Sequence, residues 1–572
     1  MTIAQHQPRG GISPFAGADV CTEAGLQLPA GVVRPAFDED LWDFTHVDGL
    51  PVSMSLASRR FTFAAITDSR WRLVAKELVL AMLAPCHPAV VALPRAHRNV
   101  MHLASCFARL DELTRFFTWL NLRGLTSLGQ VDTRVCEAYL AHRRYVLDEE
   151  GTVVGERSPG TRRAAAQVVV DLVNYRDLFT ADSVPDTLRP WGGATASAIA
   201  EMPSGREQNT TRPVDDAIMQ PMLAAALYLV DVLGPHAVAL AREVRESDQA
   251  LDRKSTQWPM PHRTPVTEFQ TRLLDLEQAG TPLPKIENHR IAMRLADGWD
   301  PQDPLLPLAT GILARQAGVR QWHSAWMPDL RGLLENAAAS VGVEPPLARR
   351  AAPVISADGA STLPWTLPLH RSEAVALVGI VRTATIIVIA AASGMRASEL
   401  MELRLGCRRP PEELVPGLVR YRIASKVIKG QPLGGTADQW IVIEPVYRAI
   451  ALAELLHEAP ADGAPLFGRF AFSVRYKWFR KWVTSDAAGR LGLAAVPEGP
   501  VNLRMLRRTL ALEMAYRPGG VLATKIHLKH ISVATTEGYA DPRELHQTGE
   551  KSQVASSWRG PDQLRGYYDL AA

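Results

Sequence analysis

The longest apolar segment of the chain limits what it can fold into. This segment spans residues 374–395, reads AVALVGIVRTATIIVIAAASGM, and is interrupted by Arg382. A helix that is apolar on all sides has to be covered by other elements. The arginine disfavours a membrane span, so we predict a buried helix that ends near Gly394. A domain large enough to surround this helix has to follow.

Length and composition set the class of protein. A chain of 572 residues is expected to form two to four domains, and 47% hydrophobic with 22% charged residues is typical of a soluble globular protein. Five scattered cysteines favour a reducing compartment and argue against a zinc site or disulfide framework. The N-terminus MTIAQHQPRGG has no apolar signal segment. We therefore expect a cytoplasmic protein without a membrane partner.

The chain divides by composition into three predicted regions. Residues 1–65 are rich in Pro and Gly and predict an arm or linker with little core of its own. Residues 66–200 show apolar residues at three- and four-residue spacing and predict a helical domain. Residues 205–572 predict a second, mostly helical domain, with an insertion or subdomain at about residues 250–365.

One part of the second domain has the pattern of strands. The stretches GLVRYRIA and QWIVIEP are rich in β-branched and aromatic residues and flank the loop SKVIKGQPLGGTAD. We predict one small antiparallel sheet there. The fold class predicted for the whole chain is therefore mainly α with a small antiparallel β-sheet.

Charge is distributed unevenly along the chain. Residues 365–572 hold 27 Lys and Arg against 19 Asp and Glu, and residues 469–529 hold 12 against 3. A local excess of positive charge on this scale indicates a polyanionic partner, most simply nucleic acid. The alternative is a solvated surface in a chain that uses arginine throughout.

Common signatures for phosphate loops, dinucleotide binding, zinc proteases and serine hydrolases are absent from the sequence.

The first candidate site residue is Arg396, in the stretch SGMRASELMEL. Arg396 lies close to a predicted helix start, where free backbone N–H groups favour an anion such as phosphate. The alternative is an arginine that ties the helix start to Glu399 or to a carbonyl group.

The second candidate site lies in NLRMLRRTLALEMAY. Arg504 and Arg507 are three residues apart on a predicted helix, which makes them neighbours on one face. Two adjacent like charges are unfavourable unless an anion or carboxylates lie between them. The alternative is a solvated basic face.

The third candidate lies in HLKHISVATTEGYAD, where His530 precedes Tyr539 by nine residues. Other tyrosines in this part of the chain are Tyr516, in the last turn of the helix that carries Arg504, and the pair Tyr567 and Tyr568 in the C-terminal tail. Tyr539 alone combines the histidine spacing with a lead-in of small residues. This stretch by itself does not decide between a nucleophile presented by a helix and a surface helix with its lead-in.

Together these motifs resemble the tyrosine recombinase, or phage integrase, family. SGMRASEL resembles the first arginine box of that family, RMLRRTLA its second box H-x-L-R-H-T-x-A, and LKHISVATTEGY its terminal L-G-H-(x)8-Y element. The resemblance covers roughly residues 375–541. Upstream, the stretch LTRFFTWLNLRGLTSLGQVDTRVCEAYL is more weakly similar to the helical core-binding domain of the family.

The resemblance implies roles for these residues. Arg396 and Arg507 would grip the non-bridging oxygens of a scissile DNA phosphate, because guanidinium forks match that geometry. Tyr539 would attack phosphorus to form a 3′-phosphotyrosyl bond, and His530 would hydrogen-bond the same phosphate. These roles imply a reaction that needs no metal, ATP or other cofactor.

A lysine on the predicted hairpin would act as general acid. Lys426 is the preferred candidate and Lys429 the alternative. The sequence departs from the family at Arg504, which stands where the second box has histidine. Arginine stays protonated, so Arg504 would stabilise charge or lower the tyrosine pKa, but it would not accept the tyrosine proton. His530, water or the phosphate would have to accept it.

The function implied by the resemblance is site-specific DNA recombination for a transposon or another mobile element. The expected partner is double-stranded DNA, bound by a homotetramer or by an assembly with related recombinases. One alternative is a catalytically inactive DNA-binding partner in such an assembly. Another is a nicking and closing enzyme that resembles type IB topoisomerases.

Overall fold

A computed structural model of the chain describes residues 11–202, 211–253, 264–457, 461–516 and 527–528. The chain forms two compact units. Unit 1 comprises residues 1–208 and 426–437, and unit 2 comprises residues 209–425 and 438–572. The described chain is mainly helical with small, mostly antiparallel sheets, which confirms the predicted fold class.

Unit 1 is a set of helices with two short strand pairs. Its elements are α1 (Val20–Glu23), β1 (Leu41–Asp43), β2 (Arg60–Thr62), α2 (Ser69–Leu83), α3 (Pro88–Val91), α4 (Leu103–Leu122), α5 (Thr133–Arg144), β3 (Tyr145–Leu147), β4 (Val153–Glu156), α6 (Pro159–Asn174) and α7 (Ala196–Ile199). β1 pairs with β2 and β3 pairs with β4, both antiparallel.

The helices of unit 1 begin where their sequences place capping residues. The Asp68 carboxylate accepts hydrogen bonds from the backbone N–H groups of the first turn of α2, and Asp132 does the same for α5. α6 begins with Ser158 as the cap and Pro159 in the first turn. Gly124, with a φ of +73°, follows the end of α4, where a left-handed residue commonly ends a helix.

The core of unit 1 extends into the segment that was predicted to be an arm. Phe15, Phe37, Trp42, Phe61 and Phe63 are fully buried and belong to one cluster with residues of α2, α4 and α6. The prediction of little core for this segment was wrong, because widely spaced aromatic anchors give no periodic signal. Each of them buries a large apolar surface.

Unit 2 contains the long apolar helix and the motif residues. Its elements are α8 (Asp216–Asp231), α9 (Gly234–Arg253), α10 (Val266–Gln278), β5 (Leu283–Pro284), α11 (Asn288–Ala296), α12 (Thr310–Gln316), α13 (Met327–Val341), β6 (Val343–Glu344), β7 (Pro353–Ile355), β8 (Thr362–Pro364), α14 (Arg371–Ser393), α15 (Ala397–Met401), β9 (Arg408–Val415), β10 (Leu418–Val427), β11 (Thr436–Val442), α16 (Glu444–Leu455), α17 (Phe472–Val483), α18 (Asp486–Arg490) and α19 (Leu503–Ala515). β10 and β11 extend into residues 426–437 of unit 1.

Helix α14 is the centre of unit 2. It packs against α8, α9, α16, α17 and α19, which together cover it on several sides. Among the described residues it is the single helix long and apolar enough to cross a membrane, or one of two candidates if the bent pair α8 and α9 counts as one span. Its most apolar window is 72% buried inside the protein, which confirms the predicted buried helix.

The small sheet has three strands in the order β11-β10-β9. The two predicted strands correspond to β10 and β11, and β10 pairs with β9 in antiparallel register. β9 was not predicted, because its sequence RRPPEELV contains two prolines that remove backbone donors. β9 lies at the edge of the sheet, where prolines are tolerated, and the register shifts beside them.

Residues 266–343 have a small hydrophobic core of their own. α10 packs against α13 along most of this cluster, and the short strands β5 and β6 pair in parallel at one end. Phe269, Trp326 and Leu330 are buried at its centre. This cluster lies within the segment where the sequence predicted an insertion or subdomain.

Candidate active site

The first motif forms a sharp turn at the end of α14. Gly394 adopts a left-handed conformation, with φ of 61° and ψ of 16°, and ends the helix. A methyl group at this position would lie 3.0 Å from Leu510 Cδ2 and still closer to Leu528 Cδ2. Glycine is therefore required here both by the backbone conformation and by the close approach of two side chains. Arg396 lies two residues further on and directly precedes α15.

Arg396 is held by a buried carboxylate. Its Nη1 atom donates to Glu399 Oε1 at 2.6 Å, and its backbone N–H donates to Glu399 Oε2 at 2.7 Å. The Glu399 side chain has no exposed surface, whereas that of Arg396 is 22% exposed. The contact of Arg396 with Glu399, which the sequence offered as an alternative, is therefore present in the structure. Within the described ranges, the Nε and Nη2 atoms of Arg396 have no hydrogen-bond partner.

Arg507 joins the other two motifs to this turn. Its side chain is 4% exposed, and its Nη1 atom donates to the carbonyl oxygen of Gly394. Its Nη2 atom donates to the carbonyl oxygen of Leu528 at 2.7 Å. Gly394 lies two residues before Arg396, and Leu528 lies two residues before His530. One guanidinium group therefore connects chain segments from all three motifs.

The basic residues of α19 differ in their surroundings. Asn502 caps the helix by accepting from the backbone N–H groups of Arg504 and Met505, and the Arg504 side chain is exposed in the first turn. Arg507 and Arg508 are buried. The alternative of a solvated basic face, which concerned Arg504 and Arg507, does not hold for the buried Arg507, whereas Arg504 is exposed to solvent.

The candidate lysines lie at the end of β10. Lys426 is half-buried inside the strand, which continues to Val427, whereas the sequence placed it just after the strand. Lys429 is exposed in the following loop. Ser425 Oγ donates to the backbone carbonyl of Glu399 at 2.9 Å, so this end of β10 adjoins α15.

His530 and Tyr539 lie outside the described residues. The part of their motif that the structure describes is Leu528, which is 1% exposed and is anchored by Arg507. The described part of the site also includes Gly394, Glu399 and Leu528. The sequence did not predict a role in the site for Gly394 or Leu528. The three-residue spacing of Arg396 and Glu399 was the one local signal, because it is the spacing of a capping contact.

The described part of the site contains basic and backbone groups rather than a metal cluster. Among the described residues, no group of three or more His, Cys, Asp or Glu side chains is arranged to hold a metal ion. The arrangement can offer the Nε and Nη2 donors of Arg396 to an anion. Carboxylates and phosphates are the anions that a guanidinium fork matches best.

Comparison with known proteins gives the following findings. No protein-family model matches the sequence, and no curated protein matches it. The chain is similar to the XerH site-specific recombinase bound to palindromic difH substrate in a post-cleavage complex, with 11% identity over 90% of this chain and 98% of that one and a TM-score of 0.36. XerH in a pre-cleavage complex with difH gives 12% identity over the same shares and a TM-score of 0.34. XerA recombinase gives 18% identity over 50% of this chain and 98% of that one, with a TM-score of 0.20. These scores are too low to transfer a fold or a role.

Proposed function

We propose that this chain is a site-specific DNA recombinase that cleaves and rejoins DNA strands through a 3′-phosphotyrosyl intermediate. The observation that carries the proposal is the double contact of Arg507 with the Gly394 and Leu528 carbonyl groups. Gly394 and Leu528 lie 113 and 21 residues from Arg507 in sequence, and this contact brings residues of the three motifs to one place. The order and spacing of the motifs support the assignment of Tyr539 as the nucleophile.

Arg396 supplies the positive charge for the scissile phosphate. Two of its nitrogen atoms are available for a further acceptor within the described chain. Glu399 fixes the position of the guanidinium group without saturating it. A bidentate contact to a phosphate stabilises negative charge where it develops in the transition state.

Arg507 acts differently in the conformation described. Both of its terminal nitrogen atoms donate to backbone carbonyl groups, so it positions the turn that carries Arg396 and the segment that leads to His530. Each terminal nitrogen of a guanidinium group carries two N–H groups, so these two contacts use two of the five donors of Arg507. The grip on a phosphate oxygen that the resemblance implies therefore does not require either carbonyl group to be displaced.

The proposed reaction is a transesterification. The Tyr539 oxygen forms a bond to phosphorus, the bond from phosphorus to the 5′-oxygen breaks, and Lys426, or alternatively Lys429, protonates the departing oxygen. The tyrosine proton passes to His530, to water or to the phosphate, because Arg504 cannot accept it. The phosphodiester energy is kept in the phosphotyrosyl bond, so a second strand can attack and rejoin without ATP.

The proposed partner is double-stranded DNA. Residues 469–529 carry 12 basic and 3 acidic residues, and α17 presents part of this charge. Trp478 is 64% exposed on this helix between Lys477 and Lys481, which are also exposed. Lysines bind phosphates, and an exposed aromatic ring adds an apolar contact to sugar or base. Strand exchange would use several copies of the chain, as a homotetramer or with related recombinases.

The test is covalent capture. The chain first selects its binding site from a random-sequence duplex pool, and a nicked suicide substrate is then built on that site. We expect a denaturant-resistant protein–DNA adduct in the presence of EDTA. The adduct should disappear in Tyr539→Phe and persist in Tyr516→Phe and in the double variant Tyr567→Phe/Tyr568→Phe.

Other outcomes separate the remaining functions. Specific binding without an adduct would contradict catalysis and favour a non-catalytic partner in an assembly with active recombinases. An adduct without strand exchange between two duplexes would favour a nicking and closing enzyme. A requirement for a divalent metal in cleavage would contradict the proposed chemistry.

A further inference from the structure

The β3–β4 hairpin of unit 1 exposes an apolar patch that its own unit does not cover. Leu147 and Val153 lie opposite each other in register, and each is 53% exposed. Val154, beside a register shift in the same hairpin, is 62% exposed. Three clustered aliphatic side chains on a two-stranded ribbon are unfavourable in water.

The base of this hairpin is fixed by ion pairs. Arg144 contacts Glu156 at 3.2 Å and Glu201 at 3.0 Å, and Arg162 contacts Glu156 at 2.8 Å. These pairs link the hairpin to α6 and to the segment after α7. A hairpin held in this way is preorganised, which lowers the entropy cost of binding.

The tip of the hairpin is also ordered, and it is acidic. The Asp148 Oδ1 atom accepts from the backbone N–H groups of Glu150 at 3.0 Å and Thr152 at 2.8 Å, and Gly151 completes the turn with a φ of +82°. Asp148, Glu149 and Glu150 are exposed. Three carboxylates at the tip repel a DNA backbone, so the hairpin is suited to a basic protein surface.

We propose that the β3–β4 hairpin docks on a basic surface in the C-terminal part of a second copy of this chain. The occupant is identified by charge complementarity, because residues 469–516 hold 9 basic against 3 acidic residues and Lys477 and Lys481 of α17 are exposed. An apolar patch flanked by charges has the anatomy of a protein interface. The acidic tips of two hairpins repel each other, so the contact runs from the hairpin of one copy to the basic surface of another.

This inference goes beyond the proposed function, because self-association can be measured without DNA or cleavage. The first test is sedimentation equilibrium of the whole protein. We expect Glu149→Lys and the double variant Leu147→Ser/Val153→Ser to weaken self-association at least tenfold. The matched controls are Asp177→Lys, at an exposed acidic position of unit 1, and Val91→Ser, at an exposed aliphatic position. Both controls should stay within twofold of the parent.

The second test identifies the surfaces. Equal amounts of ¹⁴N- and ¹⁵N-labelled protein are mixed and treated with a carbodiimide, which joins carboxylates directly to lysines. We expect mixed-label peptides that link Glu149 or Glu150 to lysines of residues 365–572. Unchanged self-association of the hairpin variants, or the absence of mixed-label links from the hairpin, would overturn the proposal. A tenfold gain in DNA affinity for Glu149→Lys without altered self-association would place the hairpin beside DNA and would also overturn it.

Discussion

In each of the two units a buried glutamate binds an arginine side chain. The two pairs differ in how many nitrogen atoms of the guanidinium group donate to the glutamate. In unit 1, Glu112 accepts from both Nε and Nη2 of Arg143, at 2.7 and 2.8 Å, and from the Tyr139 hydroxyl at 2.7 Å. In unit 2, Glu399 accepts from the side chain of Arg396 through Nη1 alone. The first arginine is 12% exposed and the second 22%.

This difference indicates that the Arg143–Glu112 pair has a structural role and that the Arg396–Glu399 pair is a candidate functional one. Arg143 presents its fork to a carboxylate inside the protein and ties α5 to α4. Arg396 is fixed at one corner and keeps the other side of its fork for a further acceptor. A buried pair of the first kind should control stability, whereas the second should control catalysis.

The largest expected effect is on the stability of unit 1. Glu112→Ala leaves Arg143 and the Tyr139 hydroxyl without their buried acceptor, and we expect a loss of about 3–5 kcal/mol in unfolding free energy. Urea unfolding followed by hydrogen exchange in α4 and α5 measures it. Asp111→Ala is the matched control, because that carboxylate pairs with Arg115 at the surface. Its effect should be below about 1 kcal/mol. Equal losses of unfolding free energy in Glu112→Ala and Asp111→Ala would contradict the structural role assigned to the buried pair.

The second prediction concerns catalysis in unit 2. Arg396→Lys keeps the charge but loses the planar fork, and we expect adduct formation to slow roughly 100-fold, or about 2.7 kcal/mol. The thermal midpoint should change little, because the lysine still reaches the buried carboxylate. Arg404→Lys, at a half-exposed arginine beyond α15, should react at the parental rate. A full-rate Arg396→Lys variant would make the Glu399 pair structural after all.

A third prediction tests the turn that positions Arg396. Gly394→Ala places a methyl group against Leu510 and Leu528 in a left-handed conformation, and we expect a loss of about 2–3 kcal/mol in the stability of unit 2. Gly406→Ala is the control, with a φ of +76° and open space around the added methyl group. It should cost about 1 kcal/mol. Similar losses in chemical denaturation would show that the close approach has no energetic role.

The smallest expected effect is a pH dependence in unit 1. The buried Asp171 carboxylate, 3.9 Å from His97, raises the pKa of that imidazole above its usual value. The folded state therefore binds the proton more tightly, and this contribution is complete below the unfolded pKa and is lost as pH rises through the folded one. Because His97 is nearly half exposed, we expect at most about 0.5 kcal/mol. The unfolding free energy measured between pH 5 and pH 9 should therefore fall slightly with rising pH in the parent protein. This pH dependence should be absent in His97→Gln, and its persistence in that variant would exclude His97 as the source.

Local pattern predicted the elements whose stability is local or periodic. The buried helix α14 followed from a long apolar run with a glycine stop, and strands β10 and β11 followed from two short stretches of β-branched and aromatic residues around a Gly-rich loop. β9 was missed because its two prolines contradict strand propensity, and an edge position accepts them. The core role of Phe15 and Trp42 was missed because isolated aromatic residues have no period.

Motif order predicted the residue types of the candidate site, and the contacts of these residues could not be predicted. Arg396 and Arg507 remain predictions as phosphate ligands, and the capping spacing indicated the contact of Arg396 with Glu399. The Gly394 and Leu528 carbonyl partners of Arg507 lie 113 and 21 residues away in sequence. Such contacts depend on how α14 and α19 pack, which the local sequence does not encode.

The most direct test of the proposed chemistry is to identify the residue bonded to DNA. The adduct from the suicide substrate is digested with trypsin and nuclease, and the modified peptide is sequenced by mass spectrometry. We expect a nucleotide joined through its phosphate to Tyr539. It should be found in the tryptic peptide of residues 530–543, HISVATTEGYADPR, which contains one tyrosine. A modified residue elsewhere in the chain, or reproducible site-specific cleavage without any covalent link, would contradict the account.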